Sequence, residues 1–314
     1  MSMRVLLHCD VGPALAARLE ALRSDELTIV SVGARDEADY QRAASEAEVL
    51  WHLLTPVDAA RIARSPKLRL IQKIGVGVNT VDLDAAKARG IAVCNMPGTN
   101  TRAVAEMTLA LMFAALRRLR MFDTGVRSGQ WTPSAQRSDS IGEIGGSTVG
   151  LVGYGAIPQF MAPMLTALGA RVLYFARRPV AAPGEWRALD DLLRESDIVS
   201  LHLPLTAETE RLIDERRLGL MKRGAILINT ARGGLVDQPA LVAALRAGQL
   251  SGAGLDVLAV EPPDQHEAIF ALDNVVLAPH VAWLTDQTWE RSLRVALENT
   301  RRLAVGETLV HRVV

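Results

Sequence analysis

Apolar residues along this chain fall into short unbroken runs separated by segments with helical spacing. Arg4–His8, Leu27–Val32, Val49–Leu54, Leu68–Ile74 and Ile91–Cys94 are such runs. With little polar alternation, they read as buried strands. Pro13–Arg23 and the segment around Asp58–Ala63 lie between them and repeat apolar residues at helical intervals. Strands alternating with helices predict a parallel sheet with helices on both faces.

A second series follows. Thr148–Val152, Arg171–Phe175, Ile198–His202, Ala225–Asn229, Gly252–Leu255 and Val275–Leu277 read as strands. Ile157–Leu168, Leu189–Glu195 and Pro239–Ala247 read as helices, with Gly169 and Gly248 placed to end two of them. Two longer helices bracket the series. One runs from Asn100 to about Arg120, with Thr99, Asn100 and Thr101 all able to cap its start. The other is Thr285–Val305, with Thr285 as cap and Asp286 in the first turn. Asp123–Ser147 lacks periodicity and reads as a loop or an arm. The simplest topology inserts residues 99–284 as one domain into another built from 1–98 and 285–314. The fold class is α/β: two Rossmann-like or flavodoxin-like parallel-sheet domains with an interdomain cleft.

Composition narrows the function classes. The 314 residues are 49% hydrophobic, enough for two sizeable cores. Lys+Arg and Asp+Glu both total 35, so the basic footprint of a nucleic-acid binder is missing. No stretch approaches the ~20 apolar residues of a membrane span. The opening residues carry too short an apolar run for a secretory signal. Cys9 and Cys94 form no Cys-x-x-Cys pair and read as free thiols of a reducing cytoplasm. No metal site is read.

The candidate chemistry sits at strand ends. Gly153-Tyr-Gly155-Ala-Ile-Pro158 lies between an apolar strand and a helix and fits Gly-x-Gly-x-x-Gly except at its last place. The first glycine permits a tight turn, and the second lets backbone approach a pyrophosphate at the helix N-terminus. Proline at 158 is tolerated in a first helical turn. About 20 residues on, where an acid would take the ribose hydroxyls, stands Ala176-Arg177-Arg178. Two guanidiniums suit a 2′-phosphate by charge and geometry. The combination points to NADP(H) in preference to NAD(H), and makes 99–284 the dinucleotide domain. Arg232, Glu261 and His280 each follow an apolar run, where open α/β sheets place ligands. An Arg, a carboxylate and a His there suit hydride-transfer chemistry.

The order of motifs resembles that of the D-isomer-specific 2-hydroxyacid dehydrogenases, the glyoxylate/hydroxypyruvate reductases among them. The marks are Gly75-Val-Gly77-Val-Asn-Thr-Val-Asp82, Asn95-Met-Pro-Gly, Ala105-Glu106, the glycine turn, His202-Leu-Pro-Leu-Thr206, Asn229-Thr-Ala-Arg-Gly-Gly, Leu255-Asp256-Val, Glu261-Pro and Pro279-His280-Val-Ala. The resemblance implies that Arg232 binds the substrate carboxylate and polarises the carbonyl. It implies that His280 is the general acid in reduction, and that Glu261 bonds and orients its imidazole. A carboxylate in that place favours imidazolium.

By the same resemblance Val76 and Gly77 contact the substrate carboxylate. Ala156, Ile157, Pro158, Leu203, Pro204, Thr209, Thr230, Ala231, Asp256, His280 and Ala282 line the cofactor alongside Gly153, Gly155, Ala176, Arg177 and Arg178. Trp51, Leu53 and Trp283 are either substrate-side-chain contacts or packing. The implied activity is reduction of small 2-oxo acids, glyoxylate and hydroxypyruvate first, to D-2-hydroxy acids by a cytoplasmic homodimer. A bulkier 2-keto acid, or a dinucleotide-sensing corepressor-like role, is the alternative. No nucleic acid or membrane partner is implied.

Overall fold

The computed structural model describes residues 2–131, 141–181 and 183–314. The chain divides into two compact units, 1–100 with 285–314 and 101–284.

The first unit holds a five-stranded sheet: β1 Met3–His8, β2 Leu27–Val32, β3 Val49–His52, β4 Leu70–Lys73 and β5 Ala92–Cys94. The order is β2-β1-β3-β4-β5, with every pair parallel. That is the flavodoxin-like order, which follows from right-handed crossovers on both sides of the first strand. β3 and β4 are buried along their whole length, including the polar residues His52, Gln72 and Lys73 toward their ends. Register places His8, His52 and Lys73 side by side at the carboxyl ends of β1, β3 and β4. The helix Asp286–Val305 returns the chain to this unit. Thr285 caps it by accepting from the Thr288 N–H. Trp51 donates to Thr300 Oγ1 at 3.3 Å, and Asn299 donates to Gln72 Oε1 at 2.6 Å, which fixes the helix against the sheet.

The second unit holds seven strands: β6 Thr148–Val152, β7 Arg171–Phe175, β8 Glu185–Trp186, β9 Ile198–Leu201, β10 Ala225–Asn229, β11 Leu250–Leu255 and β12 Val275–Leu277. Their order is β12-β11-β10-β9-β6-β7-β8, all parallel. This is the Rossmann order extended by one strand, and the direction of winding reverses between β6 and β9. The strand interiors are buried; Leu151, Val199, Leu227, Ile228 and Ala253 have no measurable exposure.

Three local expectations are revised. The first long helix stops at Leu116, and a second runs from Leu119 to Arg127, because Arg118 takes a left-handed φ of 49° between them. Asp123–Arg127 is therefore helical, and residues 132–140 of the expected arm lie outside the described residues. Helices also form at Glu37–Glu46, Leu83–Ala88 and Glu215–Leu220, where no helix was predicted. Among the described residues no helix is long and apolar enough to cross a membrane, and no cluster of His, Cys, Asp and Glu could hold a metal ion.

Candidate active site

β10, β11 and β12 are neighbours in the sheet, and Arg232, Glu261 and His280 follow them in turn. Their side chains converge. His280 Nδ1 and Glu261 Oε2 are 2.6 Å apart. An ionised carboxylate only accepts, so Nδ1–H donates and Nε2 is the nitrogen left for other work. Glu261 Oε1 accepts from the Leu258 N–H at 3.1 Å, which fixes the carboxylate from its far side. Burial would raise the Glu261 carboxyl. The His280 bond and charge, the Leu258 N–H and the Arg232 charge outweigh burial and hold it below its usual range. Burial pushes the Arg232 guanidinium down, and Glu261 opposes that.

Backbone and side chains outside this trio hold it in place. Asn229 ends β10 and clasps the next turn from both sides: Nδ2 donates to the Arg232 carbonyl at 2.9 Å, and Oδ1 accepts from the Ala231 N–H at 3.0 Å. Thr230 Oγ1 lies 2.8 Å from Thr108 Oγ1 on the Thr101–Leu116 helix. Gly233 packs its Cα directly onto the Leu258 carbonyl, and any Cβ there would overlap Leu258 C and O.

Asp256 links the loops. Its N–H donates to the Asn229 carbonyl, and its own carbonyl accepts from the His280 N–H at 2.7 Å. Its carboxylate takes the Val281 and Ala282 N–H groups at 2.8 and 2.9 Å. These bonds hold His280 in a left-handed conformation, φ 56°, that a non-glycine residue adopts only when its surroundings enforce it. Burial raises the Asp256 carboxyl, against the pull of those N–H groups. Trp283 donates its indole N–H to the His280 carbonyl at 3.2 Å, so its polar edge serves the loop.

The glycine turn lies at the sheet's reversal point. Gly153 has φ 100°, and a Cβ there would sit 2.7 Å from the His202 carbonyl that follows β9. Glycine is thus required on both counts. Gly155 caps the helix Ala156–Ala167 with no side-chain cap bond and faces open space, with no atom within 4 Å of a Cβ position. Those unsatisfied N–H groups and that space fit a pyrophosphate. Pro158 is buried in the first turn. Leu203 packs near Gly153. Thr209 Oγ1 donates to the Pro204 carbonyl at 2.7 Å and accepts from the Thr206 N–H, so it shapes its own loop. Arg177 and Arg178 are exposed after β7. The Thr206 hydroxyl, and behind it the charge of Arg177, lowers the Glu208 carboxyl.

In the first unit Gly75 has φ 139°, and the Gly75 and Val76 carbonyls accept from the Met96 N–H and from Asn95 Nδ2. Val76 is exposed. Trp51 has no exposure and spends its N–H on Thr300, which favours the packing alternative for it. Leu53 is also buried, while Leu54 is exposed. Asn229, Thr108 and Leu258 were given no role by the sequence, although Asn229 opens one of its motifs. Only Asn229, at a strand end three residues before the arginine, carried a visible signal.

Residues 109–282 match the family model for the D-isomer specific 2-hydroxyacid dehydrogenase, NAD binding domain. A glyoxylate reductase of Aeropyrum pernix is 43% identical over 284 residues, covering 86% of this chain and 85% of the relative. A D-3-phosphoglycerate dehydrogenase of Mycobacterium leprae is 39% identical over 315 residues, covering 98% of this chain but 58% of the relative. The crystal structure of the TT0316 protein from Thermus thermophilus superposes with a TM-score of 0.89 at 40% identity, over 99% of this chain and 100% of that one.

Proposed function

The chain belongs to the D-isomer-specific 2-hydroxyacid dehydrogenase family, oxidoreductases acting on CH–OH groups, and we propose that it reduces small 2-oxo acids to D-2-hydroxy acids with NADPH. Glyoxylate and hydroxypyruvate are the proposed substrates; similarity to named glyoxylate reductases supports the first. The carrying observation is the 2.6 Å bond between His280 Nδ1 and Glu261 beside a half-buried Arg232.

When bound, the reduced nicotinamide supplies a hydride to the carbonyl carbon. Gly153, Gly155, Ala156, Ile157 and Pro158 would hold its pyrophosphate, with Leu203, Pro204, Thr209, Thr230, Ala231 and Ala282 lining it. Arg232 takes the substrate carboxylate and draws electron density from the carbonyl, since its fork makes paired charge-assisted bonds. His280 then delivers a proton from Nε2 to the carbonyl oxygen, completing the alcohol. Glu261 accepts from Nδ1–H, orients the ring and leaves Nε2 to carry the proton. Asp256 and Trp283 set where His280 stands. Val76 and Gly77 are kept as proposed carboxylate contacts through backbone N–H groups.

The NADPH preference rests on Ala176 in place of an acid and on Arg177 and Arg178. A homodimer joined through the second unit is proposed from its exposed apolar side chains: Phe113, Leu119, Val126 and Trp131, the last 84% exposed. Light scattering at micromolar concentration checks this, and a monomer there would contradict it. The function itself is tested by initial rates with glyoxylate, hydroxypyruvate, pyruvate and phenylpyruvate against both reduced cofactors. The small acids with NADPH should give the highest kcat/KM. Faster turnover of phenylpyruvate would shift the assignment to a bulkier acid.

A further inference from the structure

The segment after β7 that carries Arg177 and Arg178 is held by three aromatic side chains. Tyr174, buried at 2% exposure on β7, bonds both faces of one residue: its hydroxyl donates to the Val180 carbonyl at 2.7 Å and accepts from the Val180 N–H at 3.0 Å. Tyr154, the middle residue of the glycine turn, donates to the Pro183 carbonyl at 2.9 Å. Trp186, on β8, donates its indole N–H back to the Ala176 carbonyl at 3.0 Å. The two tyrosine rings lie against each other with centroids 4.3 Å apart. Gly184, at φ 119°, brings the segment back onto β7, where a Cβ would sit 3.0 Å from the Val172 carbonyl. The backbone on both sides of the arginine pair is therefore tied at 176, 180 and 183. The two guanidiniums are exposed, and the charge of Arg177 reaches the Glu208 carboxylate.

An exposed segment bearing two long cations would ordinarily lose much chain freedom on gripping an anion. Here the tethers remove that freedom beforehand. One of them starts from the glycine turn itself, so the pyrophosphate and 2′-phosphate ends of the nucleotide would meet a single braced surface.

We propose that Tyr154, Tyr174 and Trp186 form an aromatic clasp that positions Arg177 and Arg178 and thereby sets discrimination for a 2′-phosphorylated nucleotide. This rests on the NADPH reading above. Tyr154, Tyr174 and Trp186 act through the loop and are positioning residues.

Equilibrium titration of the full-length protein with NADPH and with NADH tests it, using wild type, Tyr154→Phe, Tyr174→Phe, Trp186→Phe and the double variant Arg177→Ala/Arg178→Ala. Wild type should favour NADPH by about tenfold or more. Tyr154→Phe and Trp186→Phe should each weaken NADPH by about three- to tenfold, the range for one lost neutral hydrogen bond, and Tyr174→Phe, which loses two, by more, with NADH changed by less than about twofold in all three. A merely structural role would weaken both cofactors alike. Should Tyr174→Phe fail to fold, the half-buried Tyr154 carries the test. Preference retained in the phenylalanine variants but lost in the arginine double variant overturns the clasp alone. A wild type without preference overturns the NADPH reading and the clasp with it.

Discussion

Gly233→Ala is the smallest change that should break the site. Gly233 has ordinary negative φ, so the demand for glycine is one of space, not of backbone conformation. An added Cβ would overlap the Leu258 carbonyl and lie 2.5 Å from Ala259 N, all of it backbone. Restoring the 3.4 Å of ordinary contact to Ala259 N alone takes 3.4 − 2.5 = 0.9 Å, and the carbonyl must move further. The two segments driven apart are those that carry the catalytic groups. Arg232 immediately precedes Gly233, and the Leu258 N–H holds Glu261. A misplacement of about 1 Å costs roughly 10²-fold in rate, so kcat/KM for the oxo acid should fall by about that factor. Overpacking of this kind costs about 1–3 kcal/mol, a Tm loss of about 2–12 °C for a unit of this size. Gly234→Ala is the control, because its Cβ would meet only the end of the Leu205 side chain, at 3.0 Å. Steady-state kinetics and thermal melts of both variants read the difference. If Gly233→Ala keeps wild-type kcat/KM and Tm, the close packing of these two loops is not what aligns the site.

Arg232→Lys should recover only part of the activity lost in Arg232→Ala, with KM for the oxo acid still raised, since one ammonium cannot reproduce the guanidinium fork; full activity would refute the paired contact. Acid should destabilise the first unit through His8 and His52. Both are buried, with His8 Nδ1 and Nε2 and His52 Nδ1 lacking a hydrogen-bond partner among the described residues. Burial, then the charge of Arg61 for His8 and of Lys73 for His52, holds both imidazoles below the usual 6.5. The unfolded chain therefore takes up these protons first as pH falls below about 6.5, and stability drops by up to about 1.4 kcal/mol per pH unit for each. Melts from neutral to acid pH should show a flatter slope in His8→Phe, and an unchanged slope would remove His8 from the explanation. High salt should narrow the NADPH preference, since the two arginines are exposed; a salt-independent ratio of NADPH to NADH affinity would argue against charge as its source.

Much of this was legible in the chain because the strands are buried on both faces. Unbroken apolar runs such as residues 225–228 admit few other readings, and a functional residue just past each run inherits its position from the sheet. The overlooked helices show the limit. Glu37–Glu46 and Glu215–Leu220 are polar, with two buried residues in the first and one in the second. Their signal lay in the caps, where Asp36 and Asp214 each accept from the N–H three residues on. The break at Arg118 was invisible because an arginine in left-handed conformation has no sequence mark of the kind glycine gives. Trp51 was left open between two readings for a related reason. It sits at a strand end near candidate residues, but its indole faces the Asp286–Val305 helix, a contact 249 positions away in sequence. Support for Arg232 from Asn229, Thr108 and Leu258 likewise needs three separate segments brought together by the fold.

The central claim is that His280, held by Glu261, supplies the proton for carbonyl reduction. Its most direct test is the initial rate of glyoxylate-dependent NADPH consumption by wild type and His280→Ala at saturating cofactor. The expected result is a kcat lower by about 10²–10⁴-fold in the variant, with NADPH binding near that of wild type. A variant that turns over at a rate close to wild type would contradict the account.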